Sequence, residues 1–325
     1  MKAIKYDQYG PASVLDLREV PRPEPGRGEL LVRVAASAVT TADWRLRASA
    51  FPGGLWLPGR LMTGLRRPRK NILGGAFAGE VVALGEGAET EGFSVGDPVF
   101  GFSGFGAHAE YLAMPASGAV VKRPEALSPA EAASLPFGGL SALVFLRDVA
   151  KVQPGHRVLI VGATGAVGAL AVQIARALGA EVTGVSSTPN LGLARELGAQ
   201  HVIDYRTESI AETGRRFDVV FDTVGALDFA AARGVLAAGG VFAPLNFGLR
   251  EMAQALFNPL RRDARLALAV SGDRKADLEE LAGLVASGNL RPVVDQVYPL
   301  AEARAAHLAV ESRHRRGTVL LAMPD

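Results

Sequence analysis

Cysteine is absent from all 325 residues. That excludes disulfides, thiolate zinc sites, cysteine-held iron–sulfur clusters and a cysteine nucleophile. Long hydrophobic runs are absent too: no stretch approaches ~18 consecutive apolar residues, so no membrane-spanning helix is expected. The opening residues, MKAIKYDQYGPAS, lack the apolar segment of a secretory signal, and a soluble cytoplasmic protein is the expectation. Nor is there a surplus of one charge. The 35 Lys and Arg against 33 Asp and Glu leave +2, too little to indicate a nucleic-acid partner. The one dense basic run, Arg66-Arg67-Pro68-Arg69-Lys70, reads as a solvated loop, with contact to a phosphate or an acidic partner as the alternative. What remains is 49% hydrophobic and 21% charged, a composition of compact domains, and the length suggests about two of them.

One stretch organises the rest: GHRVLIVGATGAVGALAVQIARALGA, residues 155–180. Val158-Leu159-Ile160-Val161 is an unbroken apolar run, the pattern of a strand buried on both faces of a parallel sheet. Gly162, Gly165 and Gly168 follow at once, and an Ala-rich helical segment then runs to a C-capping Gly179. Strand, glycine turn and helix in that order form a cradle for a pyrophosphate, whose charge rests on free N–H groups at the helix N-terminus. A glycine triplet alone is a common connector; the flanking strand and helix give it meaning.

Before this stretch the chain reads as short strands: residues 3–6, 15–18, 30–34, 80–85 and 97–101, with Pro21, Pro23, Pro25, Gly26 and Gly28 between the second and third. The pattern predicts a small β-barrel-like domain. Residues 129–149 predict helix, opened by a capping box of Ser128 and Glu131. From residue 155 strands and helices alternate, with strands at 181–185, 202–203, 218–221 and 241–242 and a sixth at 266–270. A helix at 276–287 follows. Alternation of this kind predicts a doubly wound parallel sheet. Strand signals at 293–294 and 319–321 return to the first domain. The expected division is residues 1–122 with 290–325, and 123–289.

Several stretches together resemble a known group: YGPASVLDLREVPRP near the start, AVTTADWRLR at 38–47, LGGAFAGEVVALGEG at 73–87, VGDPVFG at 95–101, LPFGGLSA at 135–142, LGAQHVIDYR at 197–206 and FDVVFDTVG at 217–225. In this order they are similar to the zinc-free quinone oxidoreductase branch of the medium-chain dehydrogenase/reductase superfamily. The resemblance implies an α/β protein with a GroES-like catalytic barrel and a Rossmann domain, a cleft between them and a homodimer. It also implies an NADPH-dependent enzyme passing hydride to a small electrophile, a quinone or α,β-unsaturated carbonyl. An alcohol dehydrogenase and a non-catalytic NADPH-binding, structural or RNA-binding protein are the alternatives.

An NAD site wants a carboxylate about 20 residues beyond the glycine turn. Here that strand ends Ser186-Ser187-Thr188, so no acid repels a 2′-phosphate, and NADPH is expected over NADH. The alternative is that these hydroxyls cap the next helix. The resemblance adds Tyr205 to the same site, with Arg206 or Arg195 replacing the basic residue that relatives carry where Pro189-Asn190 stands. Around the glycine turn the expected contacts are Gly162, Thr164, Gly165, Ala166 and Val167. Nearer the nicotinamide the resemblance points to Ser141, which could equally be an ordinary helix serine. Asp222, Val224 and Gly225 follow the fourth strand and Asn246 and Phe247 the fifth, at the ligand-binding edge of the sheet. Arg315 or Arg316 with Gly317 matches a C-terminal segment that reaches the cofactor, or is a solvated charge run.

Zinc-dependent relatives carry their cysteine, histidine and glutamate ligands where this chain has Thr40, Gly75 and Ala76, so no metal is expected. Without a Lewis acid, hydride delivery to an electron-poor quinone or enone needs less help than alcohol oxidation, and hydrogen-bond donors alone can support the oxyanion. Thr40 and Asp43 are the candidate catalytic residues, Asp43 with a loop-fixing alternative. Trp44, Phe51 and Trp56 are candidates for the walls of the substrate pocket, with plain packing as the alternative. The five histidines show no metal-binding spacing.

Overall fold

The computed structural model describes residues 1–257 and 263–324. The N-terminal part is mostly sheet. It comprises β1 (Lys2–Lys5), β2 (Asp16–Glu19), β3 (Glu29–Val39), the helices α1 (Thr41–Ala48) and α2 (Trp56–Thr63), then β4 (Ala76–Leu84), β5 (Pro98–Phe102), β6 (Tyr111–Pro115) and β7 (Val120–Lys122). Two short helices follow, α3 (Pro129–Ala133) and α4 (Pro136–Leu143). The predicted capping box opens α3: Ser128 Oγ accepts from Glu131 N, and the Glu131 carboxylate accepts from Ser128 N. The single helix expected over 129–149 is interrupted. Pro136 has no N–H to continue the ladder and becomes the first residue of α4. Beyond Leu143 the turns widen over Val144–Val149.

The central part alternates: β8 (Arg157–Val161), α5 (Gly168–Ala177), β9 (Glu181–Ser186), α6 (Leu191–Glu196), β10 (His201–Asp204), β11 (Phe217–Asp222), α7 (Phe229–Val235), β12 (Leu236–Pro244), α8 (Leu249–Phe257), β13 (Ala264–Leu266) and α9 (Lys275–Ala286). Its sheet runs β10-β9-β8-β11-β12-β13, and each pairing is parallel. This is the doubly wound order that reverses between the first strand and the fourth, here β8 and β11, and so opens a crevice at their carboxyl ends. The sixth strand lies at Ala264–Leu266 rather than at 266–270; the apolar run beyond it instead reaches the cavity described below.

The chain then returns through β14 (Val294–Pro299), α10 (Ala303–Glu311) and β15 (Thr318–Ala322). β15 pairs antiparallel with β3, completing a seven-stranded sheet in the order β14-β15-β3-β4-β5-β7, with β6 also on β3. One apolar core joins the two sheets. Ala36, Ala78 and Phe100 of the first belong to the same buried cluster as Leu135, Leu140, Ile160 and Phe221. α4 is the wedge between them. A Cβ at Gly138 would sit 2.5 Å from Ala166 O, and one at Gly139 would sit 2.8 Å from Leu281, so both glycines let α4 press onto the glycine turn and onto α9. Among the described residues no helix is long and apolar enough to cross a membrane.

Candidate active site

The glycine turn is built by close backbone packing. Gly162 has φ 81°, and Cβ atoms at Gly162 and Gly168 would fall 2.6 Å from Val224 and 2.0 Å from Gly162 O. Gly165 differs, because a Cβ there has only Gly162 O at 3.5 Å nearby. Gly165 N donates to Gly162 O and Ala163 N to Val185 O, whereas the N–H groups of Thr164 and Val167 have no partner among the described residues. Free donors beside open space at a helix N-terminus are what a pyrophosphate requires. The C-terminal segment closes over this turn. Gly317 N donates to Thr164 O at 2.8 Å, and Gly317 and Gly165 form a parallel bridge. Gly317 needs its φ of 80° and leaves no room for a side chain, since a Cβ would lie 2.1 Å from Val293 O.

At the end of β9 the three hydroxyls are not equivalent. Ser186 Oγ shares a hydrogen bond with Thr164 Oγ1 at 2.7 Å, and Thr188 donates to Asp204 at 2.5 Å. Ser187 accepts from Asn190 Nδ2 at 3.1 Å, which leaves its own proton free. Asp204, in turn, accepts from Thr188 and from Arg206 N; these bonds hold its carboxyl below the usual carboxylate range. Tyr205 is exposed beside it, and the Arg206 side chain is exposed as well.

A cavity of about 480 Å³ opens where the two sheets face each other. The central part supplies Ser141, Gly165, Ala166, Val167, Val224, Asn246 and Phe247 to its wall, and the C-terminal segment supplies Arg315. Of the aromatic candidates Phe51 lines it, whereas Trp44 and Trp56 do not. Trp44 carries the Arg313 guanidinium 5.3 Å above its ring, and Trp56 is half exposed on α2. Ser141 lies in the wall but bonds back to Phe137 O at 2.9 Å. Asp222 is fully buried behind it. Its carboxylate accepts from Val224 N, Gly225 N and Leu227 N at 2.8–3.0 Å, so it shapes the loop that presents Val224.

Thr40 and Asp43 come together, but outside the wall. Thr40 caps α1, and Asp43 Oδ2 accepts from Thr40 N at 2.8 Å and from Thr40 Oγ1 at 2.6 Å. Asp43 Oδ1 accepts from Gly74 N at 2.9 Å. Both carboxylate oxygens are thus engaged in fixing α1 to the loop before β4, the loop-fixing alternative for this residue. A Thr-x-x-Asp spacing is itself a capping signature. Arg45 and Arg313 also line the cavity; neither stood out in the sequence, where one sits in a helix and the other in a charged run. The histidines hold one surprise. His108 and His307 are fully buried with their rings 5.6 Å apart at 89°, and burial pushes both below the usual imidazole range. Among the described residues no three His, Asp or Glu side chains converge as metal ligands.

Known proteins share this arrangement. Residues 26–125 match the alcohol dehydrogenase GroES-like domain and residues 197–321 a zinc-binding dehydrogenase domain. A quinone oxidoreductase of Pseudomonas aeruginosa is 32% identical, the alignment covering 98% of this chain and 99% of that one. The CurK enoyl reductase structure superposes with a TM-score of 0.86 at 26% identity over 99% of each chain. A mycobacterial protein solved in complex with NADPH superposes at 0.82, with 29% identity over 99% of each chain. The α/β architecture, the doubly wound sheet beside a GroES-like barrel and these full-length likenesses make the chain an oxidoreductase enzyme of the quinone oxidoreductase branch of the medium-chain dehydrogenase/reductase superfamily.

Proposed function

We propose that this enzyme uses NADPH to reduce quinones or α,β-unsaturated carbonyls by direct hydride transfer, without a metal ion. The observation that carries the reading is the cavity itself: a largely apolar chamber reached by the glycine turn, with no carboxylate or imidazole in its wall among the described residues. Such a chamber suits a flat electrophile that needs no general acid or base in contact. The free N–H groups of Thr164 and Val167 and the open space at Gly165 fit the pyrophosphate. Ser187, with its unspent proton, fits a 2′-phosphate, and exposed Tyr205 and Arg206 flank it. The nicotinamide supplies the hydride when bound.

The chain does the rest by placement. Phe137, Phe145, Leu245 and Phe247 keep water from the reacting face. Asn246 and Val224 border it, held by the Asp222 loop. Thr41 Oγ1 accepts from Arg315 Nη2 at 2.8 Å, so its own O–H is left to support an oxyanion developing on the electrophile. The proton that completes reduction comes from water. The positions that hold zinc in metal-dependent relatives are occupied by Thr40, engaged at the cap, and by Gly75 and Ala76, which offer no ligand atom. The reading extends to a homodimer, checked by light scattering.

Absorbance at 340 nm tests the proposal. NADPH oxidation is expected with a panel of quinones and enones, and little turnover of NADP⁺ with simple alcohols. No affinity for either nicotinamide coenzyme would overturn it, as would activity that appears only on adding stoichiometric zinc.

A further inference from the structure

Among the described residues three arginines stand in the cavity wall and no carboxylate does: Arg45, Arg313 and Arg315 are its charged residues. Two neighbouring arginines are ion-paired. Arg47, on the other side of α1, has Glu311 at 2.7 Å, and Arg304 of α10 has Asp16 at 2.7 Å. Arg45, Arg313 and Arg315 form no ion pair among the described residues. Arg315 is nevertheless held, donating to Val310 O and to Thr41 Oγ1 at 2.8 Å each, two residues from the Gly317 junction with the glycine turn. It belongs to the cofactor side.

The other two guanidinium groups donate no hydrogen bond among the described residues. Arg45 lies one turn beyond Thr41 on α1, on the face that Ala42 and Leu46 also turn to the cavity. Arg313 follows α10 in a left-handed backbone conformation, φ 59°, which a non-glycine residue adopts rarely and at a cost. That conformation lays its guanidinium over Trp44. Burial lowers the pKa of Arg45 and takes that of Arg315 down to about 10, and the charge of Arg313 lowers both. Arg313, which is exposed, brings a third positive charge to this otherwise largely apolar wall.

We infer that Arg45 and Arg313 form a subsite for an anionic group on the electrophile, so that the preferred substrate is a quinone or enone bearing a carboxylate, sulfonate or phosphate. The inference rests on the hydride-transfer reading above. Paired, planar guanidinium groups suit such oxygens, which they bind bidentately.

The test compares 1,4-naphthoquinone with 1,4-naphthoquinone-2-sulfonate as acceptors for the NADPH-loaded enzyme. In Arg45→Gln and Arg313→Gln the ratio of kcat/KM, sulfonate over neutral, is expected to fall tenfold or more, chiefly through KM, and Arg45→Lys should recover part of it. An unchanged ratio overturns the subsite. So does a matching loss of NADPH affinity, which would return the arginines to the cofactor. Should no quinone or enone be turned over, the hydride reading fails, and the subsite is judged by binding alone. Naphthalene-2-sulfonate should then quench Trp44 fluorescence in the wild type more strongly than in either variant; equal quenching overturns it.

Discussion

Gly165 and Gly168 stand three residues apart in one turn, yet the structure assigns them opposite sensitivities. At Gly168 an added Cβ would lie 2.0 Å from Gly162 O and 2.7 Å from its carbonyl carbon. Both are backbone atoms at the end of β8 and cannot swing aside as a side-chain tip would. Relief requires moving the turn by more than an ångström, and overpacking of that kind costs about 1–3 kcal/mol or more. At Gly165 the nearest atom to an added Cβ is Gly162 O at 3.5 Å, ordinary contact, and its φ is not positive. Gly165→Ala therefore leaves the apoprotein as stable as before or raises it by about 0.4–1 kcal/mol, since alanine narrows the unfolded ensemble. Its methyl group, however, occupies the cavity wall where a phosphate must approach the backbone. Urea unfolding without cofactor and titration of tryptophan fluorescence with NADPH separate the two effects. Gly168→Ala should lose stability, while Gly165→Ala should keep it and weaken NADPH binding by about tenfold or more, the equivalent of one charge-assisted hydrogen bond. A Gly165→Ala protein that binds NADPH as the wild type does would refute the placement of the pyrophosphate at this turn.

The remaining predictions concern single side chains. Ser187→Asp puts a carboxylate where a 2′-phosphate is proposed; kcat/KM for NADPH should fall about 10- to 100-fold while that for NADH changes little, and parallel losses would count against the NADPH assignment. Asp43→Ala strips a helix cap and orphans the N–H groups of Thr40 and Gly74, so it should cost about 3 kcal/mol in urea unfolding. A collapse of kcat at unchanged stability would mark Asp43 as catalytic instead. His307 is buried with neither ring nitrogen hydrogen-bonded, and its folded-state pKa lies well below 6.5. Above that value neither state is protonated. Below it the unfolded chain takes up a proton that the native one refuses, so stability declines by about 1.4 kcal/mol per pH unit until the folded pKa is reached. His307→Leu, close in volume and orphaning no partner, should flatten the fall in unfolding midpoint between pH 6.5 and 5; an unchanged slope would place the acid sensitivity elsewhere.

The central sheet was legible because its signals are local. The apolar run at Val158 is followed by glycines and a helical segment, later runs alternate with further helical segments, and parallel strands joined by helices leave few topologies open. Its details yielded where a second local rule competed, as Pro136 did inside an otherwise helical stretch, or where the end of an apolar run, Ala269 and Val270, lines a cavity rather than extending a strand. The capping role of Asp43 was equally readable, since Thr40-x-x-Asp43 has the same spacing as the Ser128 and Glu131 box, whereas its catalytic reading rests on the family resemblance alone. The cavity is a different matter. Its wall is gathered from stretches near residues 41–55, 137–145, 165–167, 223–224, 245–247, 269–271 and 313–315, and periodicity reveals which face of an element is apolar, not which other face it meets. Residues 312–316, Ser-Arg-His-Arg-Arg, show the limit most plainly. As a sequence they are one solvated run. In the fold Arg316 is exposed while Arg315, one residue before it, is held against α1 by Val310 and Thr41. The difference comes from the bridge between Gly317 and Gly165, a contact across half the chain, and that contact brings the C-terminal arginines to the cavity.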